Sequence, residues 1–219
     1  MEALLDVLAS AIGALTNSNK LQKTFKCVIR SKITATTITR YIEYLEDSFL
    51  IEEARRYDIK GKSYIGTPMK YYFTDMGLRN AGIHFRQTEV THSVENVIYN
   101  KLRMRGCSVD VGNLSIVEQG EDGRPVKKHL EVDFICRKEF KKYYIQSAYM
   151  PGTAEKMKQE IRPFLKIGDS FKKIVIILGT PKPFYSEEGI LEMNVYDFLM
   201  DLGRWRCELQ IFWQLVYAI

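Results

Sequence analysis

The sequence has 219 residues, of which 46% are hydrophobic and 27% charged, and its net charge is +5. This composition excludes intrinsically disordered, collagen-like and coiled-coil proteins. The length suits one large domain or two small ones, because domains usually hold about 100–150 residues. The charge balance is mildly basic, which permits a nucleic-acid partner without requiring one.

The sequence has no apolar run near the roughly 18 residues that a membrane-spanning helix needs, so we expect no membrane partner. Glu2 and Asp6 stand at the N-terminus, where a signal peptide would be basic. The four cysteines are widely spaced and form no CxxC pair, which predicts reduced thiols rather than a zinc site. Together these features predict a cytoplasmic protein.

The first half of the chain changes from a helical pattern to a strand pattern. Apolar residues recur at helical spacing in three segments, so we predict helices over 2–15, 18–28 and 37–49. Thr36 or a neighbouring threonine is expected to cap the third helix. Two strands follow over 50–57 and 69–74, joined by a loop over 58–68. Three helices and such a hairpin predict a winged helix-turn-helix domain over residues 1–85.

The second half alternates helices and strands in another order. Periodicity predicts helices over 91–105, 153–166 and 195–201. Strands are predicted over 107–118, 129–137, 141–148, 172–179 and 190–194. The order α-β-β-β-α-β-β-α predicts a three-layer mixed α/β domain over residues 90–201, with a boundary in 82–89.

Basic residues cluster in the predicted helix-turn-helix segment. Six cations and no acidic residue lie between positions 20 and 40, namely Lys20, Lys23, Lys26, Arg30, Lys32 and Arg40. In a DNA-binding winged helix, a helix N-terminus enters the major groove while cations of the hairpin contact phosphate. We therefore predict that double-stranded DNA binds Thr36, Thr37, Thr39, Arg40, Arg55, Arg56, Lys60 and Lys62. The alternative is a protein-docking domain whose lysines form only a solvated face.

Acidic and amide residues follow an α-β-β order that resembles the layout of a nuclease site. Glu95 lies on a predicted helix, Asp133 on a strand that also carries Glu131, and Gln146 on the next strand. Carboxylates from such elements hold Mg²⁺ or Mn²⁺ for phosphodiester hydrolysis. That chemistry also needs an acid and a lysine two residues apart on the third strand, where this sequence has Gln146 and Ala148. Glu131 and Asp133 also fit an ordinary strand with one solvated face.

Two common catalytic signatures are missing from the sequence. It contains no GxxxxGK[ST] motif, which predicts that this chain does not bind and hydrolyse ATP. It contains no GxSxG motif either, which argues against a serine hydrolase of that type. We accordingly expect no resident cofactor, with Mg²⁺ or Mn²⁺ as the alternative.

Six segments carry a resemblance to a known family. They are TITRYIEYLEDSFLIEEARRYD (37–58), KYYFTDMGLRNAG (70–82), SVENVIYNKLRMRG (93–106), LEVDFIC (130–136), YYIQSAY (143–149) and VYDFL (195–199). In order and wording they resemble the C-terminal region, a domain of unknown function, of bacterial and archaeal AAA-type ATPases. The resemblance implies a winged helix followed by a restriction-endonuclease-like PD-(D/E)xK fold, attached to an N-terminal ATPase module. It maps the nuclease motif to Glu95, Asp133 and Gln146, and Ala148 departs from that motif.

The segment 202–219 lies outside the resemblance and contains both tryptophans. It is expected to pack as an extra helix or strand, to pair two copies of the chain, or to be a non-native extension. The sequence as a whole predicts a regulatory module of an AAA-family ATPase that binds DNA or a partner and has a degenerate nuclease-like domain. A divalent-metal nuclease and a pure protein-docking module are the alternatives.

Overall fold

The computed structural model describes residues 1–86, 89–120, 123–149, 152–179 and 182–200. Its α-helices are α1 (Glu2–Ser10), α2 (Ser18–Thr24), α3 (Ala35–Asp47), α4 (Met76–Gly82), α5 (Val90–Met104), α6 (Ala154–Leu165) and α7 (Val195–Met200), and a π-helix at Phe25–Ile29 follows α2. Its strands are β1 (Ile51–Asp58), β2 (Ser63–Phe73), β3 (Ser108–Gln119), β4 (Pro125–Lys138), β5 (Lys141–Tyr149), β6 (Lys172–Leu178), β7 (Phe184–Tyr185) and β8 (Leu191–Asn194). The predicted tail at 202–219 lies outside the described residues.

All eight strands form one mixed sheet in the order β2-β1-β3-β4-β5-β6-β8-β7. The pairs β1–β3, β5–β6 and β6–β8 are parallel, and the other neighbouring pairs are antiparallel. The prediction of a mixed α/β protein is therefore confirmed. In the described part of the chain, no helix is both long and apolar enough to cross a bilayer.

The N-terminal helices form because α1 and α3 each bury a stripe of apolar residues and α2 buries Leu21. Thr34 caps α3, since its side-chain oxygen accepts a hydrogen bond from the backbone N–H of Thr37. Ile38, Ile42 and Leu45 lie on one face of α3 and are buried. They pack with apolar residues of α1, α2 and the hairpin in one cluster. The cap is thus a threonine neighbouring Thr36, as predicted.

The hairpin β1–β2 is longer than predicted and continues the main sheet. Ser63 already pairs with Asp58, so strand pairing replaces most of the loop predicted over 58–68. Arg56 to Asp58 pair with Val111 to Asn113 of β3. This pairing crosses the boundary predicted in 82–89 and makes the hairpin the edge of the eight-stranded sheet.

The hairpin also contributes to two different hydrophobic cores. Tyr71 and Phe73 pack with the N-terminal helices, whereas Tyr72 points to the opposite side and packs against α5. Adjacent residues of a strand face opposite sides of the sheet, which explains the division. The helical N-terminal part and the rest of the fold are therefore joined through β2.

The central sheet is covered by helices on both faces, which gives it three layers. On one face, strand residues such as Phe134 and Ile145 pack against α5 and α7. On the other face, strand residues such as Tyr144 and Val175 pack with Ile161 of α6. Burial on both faces explains the continuous apolar pattern of β6.

Glu46 of α3 titrates near neutral pH. Burial and the neighbouring Glu53 carboxylate raise the pKa of Glu46 to about 7. Between about pH 5 and pH 7 the folded chain therefore holds a proton that the unfolded chain releases, so stability falls as the pH rises through this range. We expect Glu46→Gln to raise the free energy of unfolding near pH 8 and to leave it unchanged near pH 4. The expected gain is only about 1 kcal/mol, because solvent screens this half-exposed group. Urea denaturation at both pH values measures the effect.

The exposed Glu187 offers a matched control for this substitution. Glu187→Gln makes the same chemical change away from α3 and is expected to have little effect at either pH. A wild-type protein and a Glu46→Gln variant with the same dependence of stability on pH would contradict the account.

Candidate functional site

Strand β2, helix α5 and strand β4 bring a buried lysine together with several acidic residues. We call the group Lys70, Tyr72, His92, Glu95, Glu131 and Asp133 the Lys70 cluster. Lys70 Nζ lies 2.9 Å from Glu95 Oε1 and 2.7 Å from Glu131 Oε1. Lys70 is 3% exposed and Glu95 6% exposed, so most of the cluster is shielded from solvent.

Glu95 is charged and closely surrounded. Its Oε1 accepts hydrogen bonds from Lys70 Nζ and, at 2.6 Å, from the hydroxyl of Tyr72. Its Oε2 lies 3.7 Å from His92 Nδ1. Burial alone would raise the pKa of Glu95, but His92 and Lys70 outweigh burial and hold that pKa below its usual value. Glu95 is therefore a carboxylate that is committed to partners within the chain.

The turn after α1 closes the other side of Glu95. Gly13 has a φ of +72°, and a Cβ at this position would lie 2.8 Å from His92 Nδ1 and 3.1 Å from Glu95 Oε2. A larger residue would therefore clash with the cluster and would also be strained in the left-handed region. Glycine lets the backbone pass directly over Glu95.

The site shifts the pKa of Asp133 in the opposite direction from the pKa of Glu95. Its Oδ2 accepts a hydrogen bond of 2.8 Å from the backbone N–H of Ser147. Burial and the Glu95 charge raise the pKa of Asp133 well above its usual value, although Lys70 acts against them. The site thus brings Asp133 into the electrostatic range of Glu95 and disfavours its charged form.

Gln146 lies beside Asp133 but connects to another helix. Its Oε1 accepts a hydrogen bond of 3.4 Å from the backbone N–H of Asp133, and its Nε2 lies 3.5 Å from Glu160 Oε2 of α6. Ala148, two residues further along β5, is buried in the apolar core on the α6 side. At positions 146 and 148, strand β5 therefore offers this cluster an amide and no cation.

The residues present do not fit the predicted Mg²⁺ or Mn²⁺ site. A metal ion would need free carboxylate oxygens at the point where Glu95 and Glu131 converge. The ammonium of Lys70 lies at that point and donates to Glu95 Oε1. Of the two remaining predicted residues, Asp133 has a raised pKa, which disfavours the carboxylate form that a metal ion needs, and Gln146 contacts Glu160. We therefore assign no catalytic step to a metal ion.

Lys70 is an important residue of the cluster that was not predicted from the sequence. It lies within the apolar run of β2, and a single lysine among such residues on a buried strand needs a partner. Burial lowers the pKa of its ammonium, but Glu95, Asp133 and Glu131 outweigh burial and raise it. An unexplained lysine in the sequence MKYYF was the available signal.

The six basic residues between positions 20 and 40, of which Arg40 was predicted to bind DNA, form an exposed set. We call Lys20, Lys23, Lys26, Arg30, Lys32 and Arg40 the basic surface, and all six are exposed. Thr36 and Thr39 are exposed on the first turns of α3, next to the capping residue Thr34. Two threonines already have partners: Thr37 is hydrogen-bonded to Thr34, and Thr39 donates to the carbonyl of Ala35 and contacts Ser18.

The hairpin cations differ from one another in their availability. Arg56 donates a hydrogen bond of 2.9 Å to Asn113 Oδ1 of the adjacent strand, so it supports the sheet. Arg55 lies 4.1 Å from the centre of the Tyr64 ring. Lys60 and Lys62 are exposed at the turn of the hairpin. Of the predicted hairpin residues, Arg56 is thus engaged in the sheet, whereas Arg55, Lys60 and Lys62 are exposed.

Comparisons with known proteins show limited similarity. A family model described as a domain of unknown function (DUF8612) matches residues 1–89. An uncharacterized protein of Haemophilus influenzae is 34% identical over 203 residues, which is 91% of this chain and 46% of that protein. No solved structure gives a significant match. The chain therefore spans about half the length of the curated relative that it matches.

Proposed function

We propose that this chain is a non-catalytic DNA-binding module of a longer protein. One observation carries the proposal: all six cations between positions 20 and 40 are exposed, and no acidic residue lies among them. Such a concentration of positive charge attracts the phosphate backbone of DNA. Five of the six cations precede an amphipathic helix of 13 residues in the sequence, and Arg40 lies within that helix.

A winged helix-turn-helix arrangement is our interpretation of the N-terminal part. It is supported by the order of three helices followed by an antiparallel hairpin. In this interpretation the first turns of α3 enter the major groove, where Thr36 and Arg40 meet base edges or phosphates. Lys60 and Lys62 at the turn of the hairpin then contact the DNA backbone.

We interpret the second half as a restriction-endonuclease-like scaffold without activity. The layout of Glu95, Asp133 and Gln146 on α5, β4 and β5 supports this kinship. The catalytic alternative is disfavoured by Lys70, which contacts both Glu95 and Glu131. It is disfavoured further by Ala148, which has no group to orient an attacking water.

The wider role is proposed from the sequence resemblance. We infer that the parent protein is an AAA-family ATPase and that this module regulates it or directs it to DNA. The length of the Haemophilus relative, of which the chain covers 46%, leaves room for a further module. Size-exclusion chromatography of this chain mixed with the separately produced remainder of its parent tests whether the two parts associate.

Salt-dependent binding of duplex DNA is the expected result of a direct test. Fluorescence anisotropy of a labelled duplex is measured with the wild type and with a Lys23→Glu, Lys32→Glu, Arg40→Glu triple variant. We expect the triple variant to bind at least about 100-fold more weakly, and its slope of log affinity against log salt to fall by about 3. The three positions are exposed, so the fold is expected to be retained.

A matched control carries three charge reversals on α6 and at its end. The variant Lys156→Glu, Lys158→Glu, Lys166→Glu changes the net charge equally at exposed positions. We expect its affinity for DNA to stay within about threefold of the wild type, because only the small effect of the changed net charge acts on binding. Equal losses in both triple variants would show that net charge, not the basic surface, governs binding. Absence of binding by the wild type at low salt would favour the protein-docking alternative.

A further inference from the structure

We propose that Lys70 is the built-in cation of the Lys70 cluster and occupies the place predicted for a divalent metal ion. Its ammonium neutralises Glu95 and Glu131 and joins the hairpin to α5 and β4. The cluster is then a metal-independent junction, which is a role distinct from the proposed binding of DNA.

The position of the ammonium relative to the two carboxylates supports this role. Lys70 Nζ lies within 3 Å of one oxygen of Glu95 and of one oxygen of Glu131. The Lys70 side chain is 4% exposed and the Glu95 side chain 8%, whereas that of Glu131 is 36% exposed. The cation therefore bridges a buried acid and an acid at the edge of the cluster.

The surroundings of Glu95 leave little room for a second cation. The Tyr72 hydroxyl donates to the same oxygen as Lys70. His92 faces the other oxygen, and the backbone of Gly13 passes close to both groups. A divalent ion would have to approach a buried ammonium, and the repulsion between two nearby cations in a shielded site is large.

Removal of the ammonium should create the site that the wild type lacks. Lys70→Ala leaves the oxygens of Glu95 and Glu131 converging on an empty point. Hard divalent cations such as Mn²⁺ are bound in proteins through one or two carboxylates, with waters completing the shell. We therefore expect Lys70→Ala to acquire affinity for Mn²⁺, with Glu95 and Glu131 as ligands.

Electron paramagnetic resonance of free Mn²⁺ tests the proposal directly. The proteins compared are the wild type, Lys70→Ala, Lys70→Ala with Glu95→Gln, and Lys127→Ala as a control at an exposed strand lysine. We expect Lys70→Ala to bind about one Mn²⁺ per chain through its two carboxylates. The wild type, the double variant and the Lys127→Ala control are expected to bind at least tenfold more weakly.

Two results would overturn the proposal. One is stoichiometric Mn²⁺ binding by the wild type at the affinity of Lys70→Ala. The other is a folded Lys70→Ala protein that binds no more Mn²⁺ than the wild type. If Lys70→Ala is unfolded without metal, Mn²⁺ is expected to restore its circular-dichroism unfolding transition, and failure to do so at any concentration also overturns the proposal. DNA binding is measured in a separate experiment, so neither result decides whether the proposed binding of DNA is correct.

Discussion

Phe134→Ala is expected to lower the free energy of unfolding by about 3–5 kcal/mol, the cost of removing a large buried aromatic side chain. Phe134 is fully buried on the central strand β4. Its ring centre lies 5.9 Å from that of Tyr72 and 6.2 Å from that of Tyr99. These three rings connect β4 to the hairpin and to α5, so the cavity would open where the two parts of the fold meet.

Phe140 provides a matched control in the same region. It lies six positions further along the chain, between β4 and β5, and is completely exposed. Phe140→Ala removes the same ring without a cavity and is expected to change the free energy of unfolding by less than about 0.5 kcal/mol. Urea denaturation followed by circular dichroism measures both variants. Similar stability changes at the two positions would mean that β4 is not the centre of the core.

Glu95→Gln is expected to cost about 2–4 kcal/mol of stability, because a buried ion pair loses one of its charged partners. The glutamine keeps an acceptor for the Tyr72 hydroxyl but leaves Lys70 with less negative charge around it. Lys70 retains its ion pair with Glu131. We therefore expect a smaller loss of stability than for a buried lysine that has lost every acidic partner. Chemical denaturation near neutral pH measures the change.

Asp133→Asn is the comparison that makes this prediction specific. The charged form of Asp133 is disfavoured, since burial and Glu95 raise its pKa. Asparagine keeps an oxygen that can accept from the Ser147 N–H, so we expect a loss of about 1 kcal/mol or less. Equal costs for the two substitutions would contradict the opposite directions in which the site shifts the pKa values of Glu95 and Asp133.

The main helices and strands were predictable because their apolar periodicity is local. Helix α3 begins and ends close to its predicted bounds, since the threonines before it and the stripe through Ile38 and Ile42 are both readable in the sequence. Strand β6 was readable as a continuous apolar run. The two-residue strand β7 was missed because Phe184 and Tyr185 are too short a segment to have a period.

The role of the hairpin was not predictable, because it depends on non-local pairing. Strand β1 has a mixed polar sequence, and nothing in that sequence indicates a parallel partner more than fifty residues away. The strand pairing between β1 and β3 is short and runs from Arg56 to Asp58. The position of the hairpin at the edge of the sheet follows from this short contact and from the burial of Tyr72 against α5.

The candidate site was partly predictable. The order of elements predicted that Glu95 and Asp133 come near each other, and in the structure the charge of Glu95 is one cause of the raised pKa of Asp133. Lys70 was missed because it comes from the part of the chain that the sequence assigned to another domain. The charge of each acid depends on burial and on Lys70, and neither can be derived from the spacing of the acids.

Incubation of a labelled DNA duplex with the wild-type chain and Mg²⁺ at low salt is the most direct test of a non-catalytic DNA-binding module. Parallel native and denaturing gels separate binding from cleavage. We predict a shifted complex that weakens steeply between about 50 and 200 mM salt and a duplex that stays intact throughout. Cleavage that Glu95→Gln abolishes, or the lack of any complex at low salt, would contradict the account.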